Sequence, residues 1–173
     1  MEDNQPKTGK FIWTYGSLLG LAGIAFAVIL FSMEMHYEQG WDVRIIGTLL
    51  MVGAVVLATQ QYKKANAGYL KISDALKLGA GIGLVGALFS LIWYALLTNF
   101  IEPDFMDKAM EIAKVKTFEE NPKLTEEQWQ QGVEMQKSFA WLTYPIVIII
   151  NIVIGLVIGL ITGLIMKKQK PGY

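Results

Sequence analysis

Four stretches of the chain are almost wholly apolar and carry no charged side chain: residues 11–33, 45–59, 78–100 and 139–166. A helix needs about 20 apolar residues to cross a hydrocarbon core of roughly 30 Å, so each stretch is predicted to span a bilayer. The second is short and has to recruit its polar flank at Gln60 and Gln61. With flanks included, the predicted spans are about 11–33, 44–62, 76–100 and 139–166. Lys7 and Lys10 precede the first span as they would a cleavable leader. Its apolar run is too long, however, and Phe31-Ser32-Met33-Glu34 offers no small-x-small cleavage site, which predicts a retained helix.

Between the third and fourth spans, residues 101–138 read as a helical hairpin. Glu102-Pro103-Asp104 is a helix start, and Phe105, Ala109 and Ile112 then recur at helical spacing beside Met106, Met110 and Ala113. Asn121-Pro122 breaks that helix. The next start is sharper. Thr125 is an N-cap, Gln128 closes a capping box, and Leu124 and Trp129 stand at the positions of a hydrophobic staple. This helix is expected to run toward the fourth span until Pro145, whose ring would clash with the Trp141 carbonyl and impose a kink or restart.

Composition agrees with a membrane protein and narrows its class. Hydrophobic residues make up 53% of the 173 and charged residues 17%, against roughly 45–50% and 25% in soluble domains. The 15 basic and 15 acidic residues cancel, so no basic excess is present to hold nucleic acid. Cysteine is absent, which excludes disulfides, thiol catalysis and thiolate metal sites. Charge is strongly partitioned. Lys7, Lys10, Lys63, Lys64, Lys71, Lys77, Lys167, Lys168 and Lys170 face only Glu2, Asp3 and Asp74, a balance of +6. Residues 34–44 and 101–138 together balance at −6. The positive-inside rule then predicts both termini in the cytoplasm and the hairpin outside. Trp13, Tyr15, Tyr62 and Tyr69 fall at the inner interface, and Tyr37, Trp41, Trp141 and Tyr144 at the outer one.

Several segments carry a family likeness in order and spacing. They are Tyr62-Lys63-Lys64, Gly68-Tyr69-Leu70 running into Asp74-Ala75-Leu76-Lys77-Leu78-Gly79, and Phe100-Ile101-Glu102-Pro103-Asp104-Phe105. Asn121-Pro122-Lys123-Leu124-Thr125-Glu126-Glu127-Gln128 and the closing Lys167-Lys168 complete the set. Over nearly its whole length the chain resembles the bacterial four-span membrane protein family catalogued as domain of unknown function 4199. Members often carry Gly at the place of Ser73 and Glu at that of Asp74. The resemblance implies an all-α four-span architecture and a bacterial cytoplasmic (inner) membrane location. It brings no activity and no site.

Glycines in the spans are spaced for close helix approach. Gly155, Gly159 and Gly163 repeat every fourth residue below Asn151, as do Gly79, Gly83 and Ala87 in the third span and Gly16 and Gly20 in the first. Such stripes serve packing inside one bundle or the contact face of a homo-oligomer, and packing is the simpler account. Gly16, Gly20, Leu21, Gly23, Phe26 and Ile29 match Gly79, Gly83, Leu84, Gly86, Phe89 and Ile92 at one offset. A duplicated hairpin would produce this, as would the common composition of Gly-rich spans.

Candidate chemistry is sparse. None of the four apolar cores holds Asp, Glu, Lys, Arg or His, which disfavours an ion-coupled carrier. Asn151, with Ser90 at similar depth, reads as an interhelical hydrogen-bonding group, or else as the lining of a small permeation path. His36 is the sole histidine, and with Glu34, Glu38 and Asp42 it reads as an acidic interfacial loop before it reads as a metal site. No nucleophile–base pair, phosphate loop or H-E-x-x-H motif is present, so no enzyme activity and no cofactor are expected. Phe105, Met106, Met110, Trp129 and Val133 either pack within the hairpin and on the bundle rim or form a face for a partner protein. The sequence thus predicts one membrane domain over residues 1–173: a non-enzymatic module that associates with itself or another envelope protein. A small channel or carrier with a path near Asn151 and Ser90 is the alternative.

Overall fold

A computed structural model describes residues 6–37 and 40–169. It contains six α-helices: α1 (Thr8–Ser32), α2 (Trp41–Ala65), α3 (Ile72–Leu96), α4 (Phe105–Glu120), α5 (Glu126–Ser138) and α6 (Thr143–Met166). Thr8–Ser32, Trp41–Ala65, Ile72–Ile101 and Ala140–Met166 are long and apolar enough to cross a membrane, and this is a multi-pass membrane protein. The second span is longer than its 15-residue apolar run. Its helix continues through the polar flank, and the Lys63 Nζ donates to the Met166 carbonyl at 2.8 Å, satisfying an end group of α6. One face of the bundle, the chain-end face, carries the start of α1, the end of α6 and the α2–α3 turn. The other carries the α1–α2 loop and the α4–α5 hairpin.

At the chain-end face, Ala67 (φ 53°) and Gly68 (φ 83°) reverse the chain after α2, and the Gly68 N–H donates to the Lys63 carbonyl at 2.8 Å. The turn then pairs with the segment after α6. Leu70 N–H donates to the Lys168 carbonyl at 2.9 Å and Lys168 N–H returns a bond to Leu70 at 3.1 Å. Lys170, Glu2 and Asp3, which enter the charge balance, lie outside the described residues.

Helix α3 is the centre of the bundle, packed on α6 along one side and α1 along another, with α2 closing against all three. The α3–α6 crossing is a backbone contact. A Cβ added at Gly79 would land on the Gly155 carbonyl, one at Gly83 on the Asn151 carbonyl, and one at Gly159 only 2.5 Å from the Ala75 carbonyl. The fourth-span stripe thus lies against α3 of its own chain. In lipid, burying apolar surface between helices gains little, and approach this close supplies the dispersion contact that holds them. Gly16 and Gly20 receive the Val85 and Phe89 side chains of α3 instead.

Burial within the helices is concentrated in the chain-end half, with Leu97 and Glu102 buried at the hairpin face. The buried positions are Gly16 and Gly20 of α1, Met51 through Tyr62 of α2, Asp74 through Ala87 of α3, and Gly155 through Gly163 of α6. Toward the hairpin face the four helices splay. The chain continues from α3 through a π-helical turn (Leu97–Ile101) into α4 and α5, neither of which buries a residue.

Two sequence expectations about the hairpin change. The third span ends near residue 100 as expected, at Ile101, but its last turn is π-helical, and α4 starts at Phe105 and not at Glu102. The helix expected to run on to Pro145 stops at Ser138, and a 3-10 turn (Ala140–Leu142) leads into α6. Pro145 then stands in the first turn of α6, where a missing N–H costs no helical bond. The Thr125–Gln128 capping box is formed in both directions, at 3.2 and 3.0 Å.

Gly155→Leu is expected to cost at least about 1–3 kcal/mol by forcing α6 off α3. Gly53→Ala, where an added Cβ meets nothing within 4 Å, should leave the melting temperature unchanged or higher. Thermal unfolding in detergent followed by circular dichroism separates the two. Equal losses would contradict a glycine-dependent crossing.

Candidate functional site

The hairpin face is organised by one carboxylate. In the π turn after α3 the Glu102 N–H reaches back five residues to the Leu97 carbonyl at 2.7 Å, a wider turn than the α-helix makes. Thr98 Oγ1 and Asn99 Nδ2 donate to the Tyr94 and Ala95 carbonyls at 2.9 and 2.8 Å. The Glu102 side chain ends up 11% exposed and ringed by three donors from two segments. His36 Nε2–H donates to its Oε2 at 2.9 Å, the Tyr37 hydroxyl donates to Oε1, and the Lys108 Nζ donates to Oε1 at 2.8 Å. Lys108 also pairs with Asp104 at 3.1 Å. The α1–α2 loop and the base of α4 are therefore tied to the end of α3 through a single side chain.

Aromatic rings seal this contact. His36 lies 4.9 Å from Phe31, 4.0 Å from Tyr37 and 5.8 Å from Phe105, centroid to centroid. Tyr94 meets Phe105 edge-on at 6.4 Å, and its hydroxyl donates to the Met106 sulfur at 3.2 Å. The donors hold Glu102 at about 2, well below the usual carboxylate range, with Lys108 the largest influence, then Tyr37 and His36. Conversely, the Glu102 carboxylate raises the Tyr37 phenol, chiefly by accepting its hydrogen bond, and raises Lys108 in the same way.

The sequence-predicted residues fall into three places. Gly16, Gly20, Gly79, Gly83, Gly155, Gly159 and Gly163 are in the packed half. Asn151 and Ser90 line a cavity in the splayed half, but each turns its polar group onto its own helix: Asn151 Nδ2 donates to the Val147 carbonyl at 2.9 Å and Ser90 Oγ to the Ala87 carbonyl at 3.1 Å. Phe105, Met106, Met110, Trp129 and Val133 are all half-buried. Phe105 and Met106 serve the contact at the base of the hairpin. Trp129 meets Phe118 edge-on at 6.2 Å, and Lys114 pairs with Glu126 at 2.6 Å across the hairpin.

His36 goes to Glu102 and not to the neighbours read with it as a metal set: Glu34 and Asp42 are exposed, and Glu38 lies outside the described residues. Among the described residues no group of three or more His, Asp or Glu is placed to hold a metal ion.

Sequence reasoning passed over Glu102, reading it as part of a helix start. The available signal was positional: an acid directly after an apolar span, with the sole histidine and a tyrosine directly after another. Asp74 was counted as a surface charge, yet it is 7% exposed beside the Tyr62 phenol.

Two adjoining cavities occupy the splayed half. The smaller, about 240 Å³, is lined by residues that include Gly20, Gly23, Gly47, Gly86 and Asn151. The larger, about 570 Å³, extends toward the hairpin face past Phe31, His36, Arg44 and Phe105. Phe26, Ala27, Ser90 and Trp93 are walls of both.

A family model described as "Protein of unknown function (DUF4199)" matches residues 14–168, and the chain belongs to that family. No curated protein and no solved structure matches the chain.

Because the folded-state titration of Glu102 lies below its ordinary value of 4.5, its bonds stabilise the protein fully above that value. That contribution fades as pH falls toward about 2. Glu102→Gln is expected to melt below the wild type at pH 7, with the gap closing between about pH 4.5 and 2. A gap unchanged at the lowest pH would show that Glu102 acts by shape and not by charge.

Proposed function

We propose that this member of the family is a non-enzymatic module of a bacterial cytoplasmic membrane. In this reading both termini are cytoplasmic, and the α4–α5 hairpin is presented to another envelope protein on the outer side. The observation that carries the reading is the hairpin itself. It buries no residue of its own, keeps Val115 and Met135 about 60% exposed, and is anchored to the bundle at its base, through Glu102, Phe105 and Met106. An appendage tied to the bundle at its base that exposes apolar side chains among its charged ones suits recognition by a partner helix. The +6 and −6 charge balances support the orientation.

The second reading, a channel or carrier near Asn151 and Ser90, has the cavity in its favour. Against it stand the glycine crossing that fills the other half and the absence of ionisable groups in the apolar cores.

The native mass of the protein, released from its own membrane in mild detergent, tests the first reading. A stoichiometric second protein is expected with the wild type. It should be lost with Met135→Asp or Val115→Asp while the melting temperature stays the same. A lone monomer or homo-oligomer in every sample overturns the reading. Flux into proteoliposomes that Asn151→Leu abolishes would install the second one.

A further inference from the structure

The glycines of this bundle are of two kinds. At Gly79, Gly83 and Gly155 an added Cβ strikes backbone, whereas at Gly23 and Gly47 it meets nothing within 4 Å. Both of the latter line the cavity between the splayed helices. Close packing is what holds helices together in lipid, and here the chain leaves space that its own residues do not fill. The larger cavity, about 570 Å³, is within the ~300–1,000 Å³ of small-molecule sites.

The lining specifies the occupant. In depth the walls of the two cavities are largely apolar, including Phe26, Leu30, Leu91 and Trp93, and Ser90 and Asn151 are bonded to their own helices. A polar solute would find few open partners. At the hairpin end stands Arg44, its guanidinium 5.6 Å over the Trp41 ring and in no ion pair among the described residues. Its neighbour His36 is already engaged by Glu102. A cationic side chain among the residues lining the end of an apolar cavity fits a carboxylate or phosphate.

We propose that the splayed half of the bundle is a binding site for an amphiphile: a long apolar chain lying between the helices, with an anionic head group held by Arg44. The site shares Phe105 with the base of the hairpin but includes neither Val115 nor Met135, so it stands or falls apart from the partner-binding reading.

Native mass spectrometry of the delipidated protein, titrated separately with stearate, phosphatidylglycerol and stearyl alcohol, tests it. Saturable one-to-one binding is expected for an anionic ligand and not for the alcohol. Stearate alone assigns a free fatty acid, phosphatidylglycerol alone assigns a bilayer lipid, and both assign the shared chemistry. Arg44→Gln, at an exposed position, should weaken binding about tenfold. Gly23→Leu with Gly47→Leu should abolish it without lowering the melting temperature. Equal binding of the alcohol, unsaturable uptake, or full affinity in Arg44→Gln would each overturn the proposal. So would retained affinity in the folded double variant.

Discussion

The approach of α3 to α6 at Gly79, Gly83, Gly155 and Gly159 is the contact on which the rest of the bundle depends. Helices in lipid gain little from hiding apolar side chains from one another, so they must gain from dispersion at short range. Glycine allows the shortest range. With α3 and α6 fixed together, α1 and α2 have a surface to complete, and the buried cluster of Met51, Val55, Ala58, Ile82 and Ile158 forms against it.

The same contact explains why the other half is open. Small residues are concentrated toward the chain ends of α3 and α6, whereas bulky Trp93, Tyr94 and Ile146 to Ile150 follow toward the hairpin face. Beyond the last of these glycines the backbone contact ends, and the two cavities lie between the helices there. The protein closes the open end differently, through polar and aromatic contacts around Glu102. One end is thus held by shape and the other by charge.

The four spans, the hairpin and the capping box were legible because each depends on local pattern: runs of apolar residues, a breaking Asn121-Pro122, and Thr125 with Gln128. The glycine spacing was legible too, but its partners were not, since spacing shows which face is small and not what lies on it. Gly16 and Gly79 occupy matching positions in two spans, yet one receives a valine side chain and the other a backbone carbonyl. Glu102 was invisible as an organising residue because its partners come from Tyr37 and His36, over 60 residues away, and from a π turn that sequence periodicity does not announce. The cavity likewise follows from divergence of helices, a property of the whole bundle.

The backbone pair between Leu70 and Lys168 also bears on the order in which the protein is made. The α2–α3 turn leaves the ribosome about 100 residues before its partner, an interval of roughly 5–20 s at ~5–20 residues per second. Throughout that time the Leu70 backbone bonds to water, while α3 waits in the membrane without α6. The pairing therefore forms only once the segment after α6 has been made, and it fastens the α2–α3 turn after the helices on either side of it are already in place.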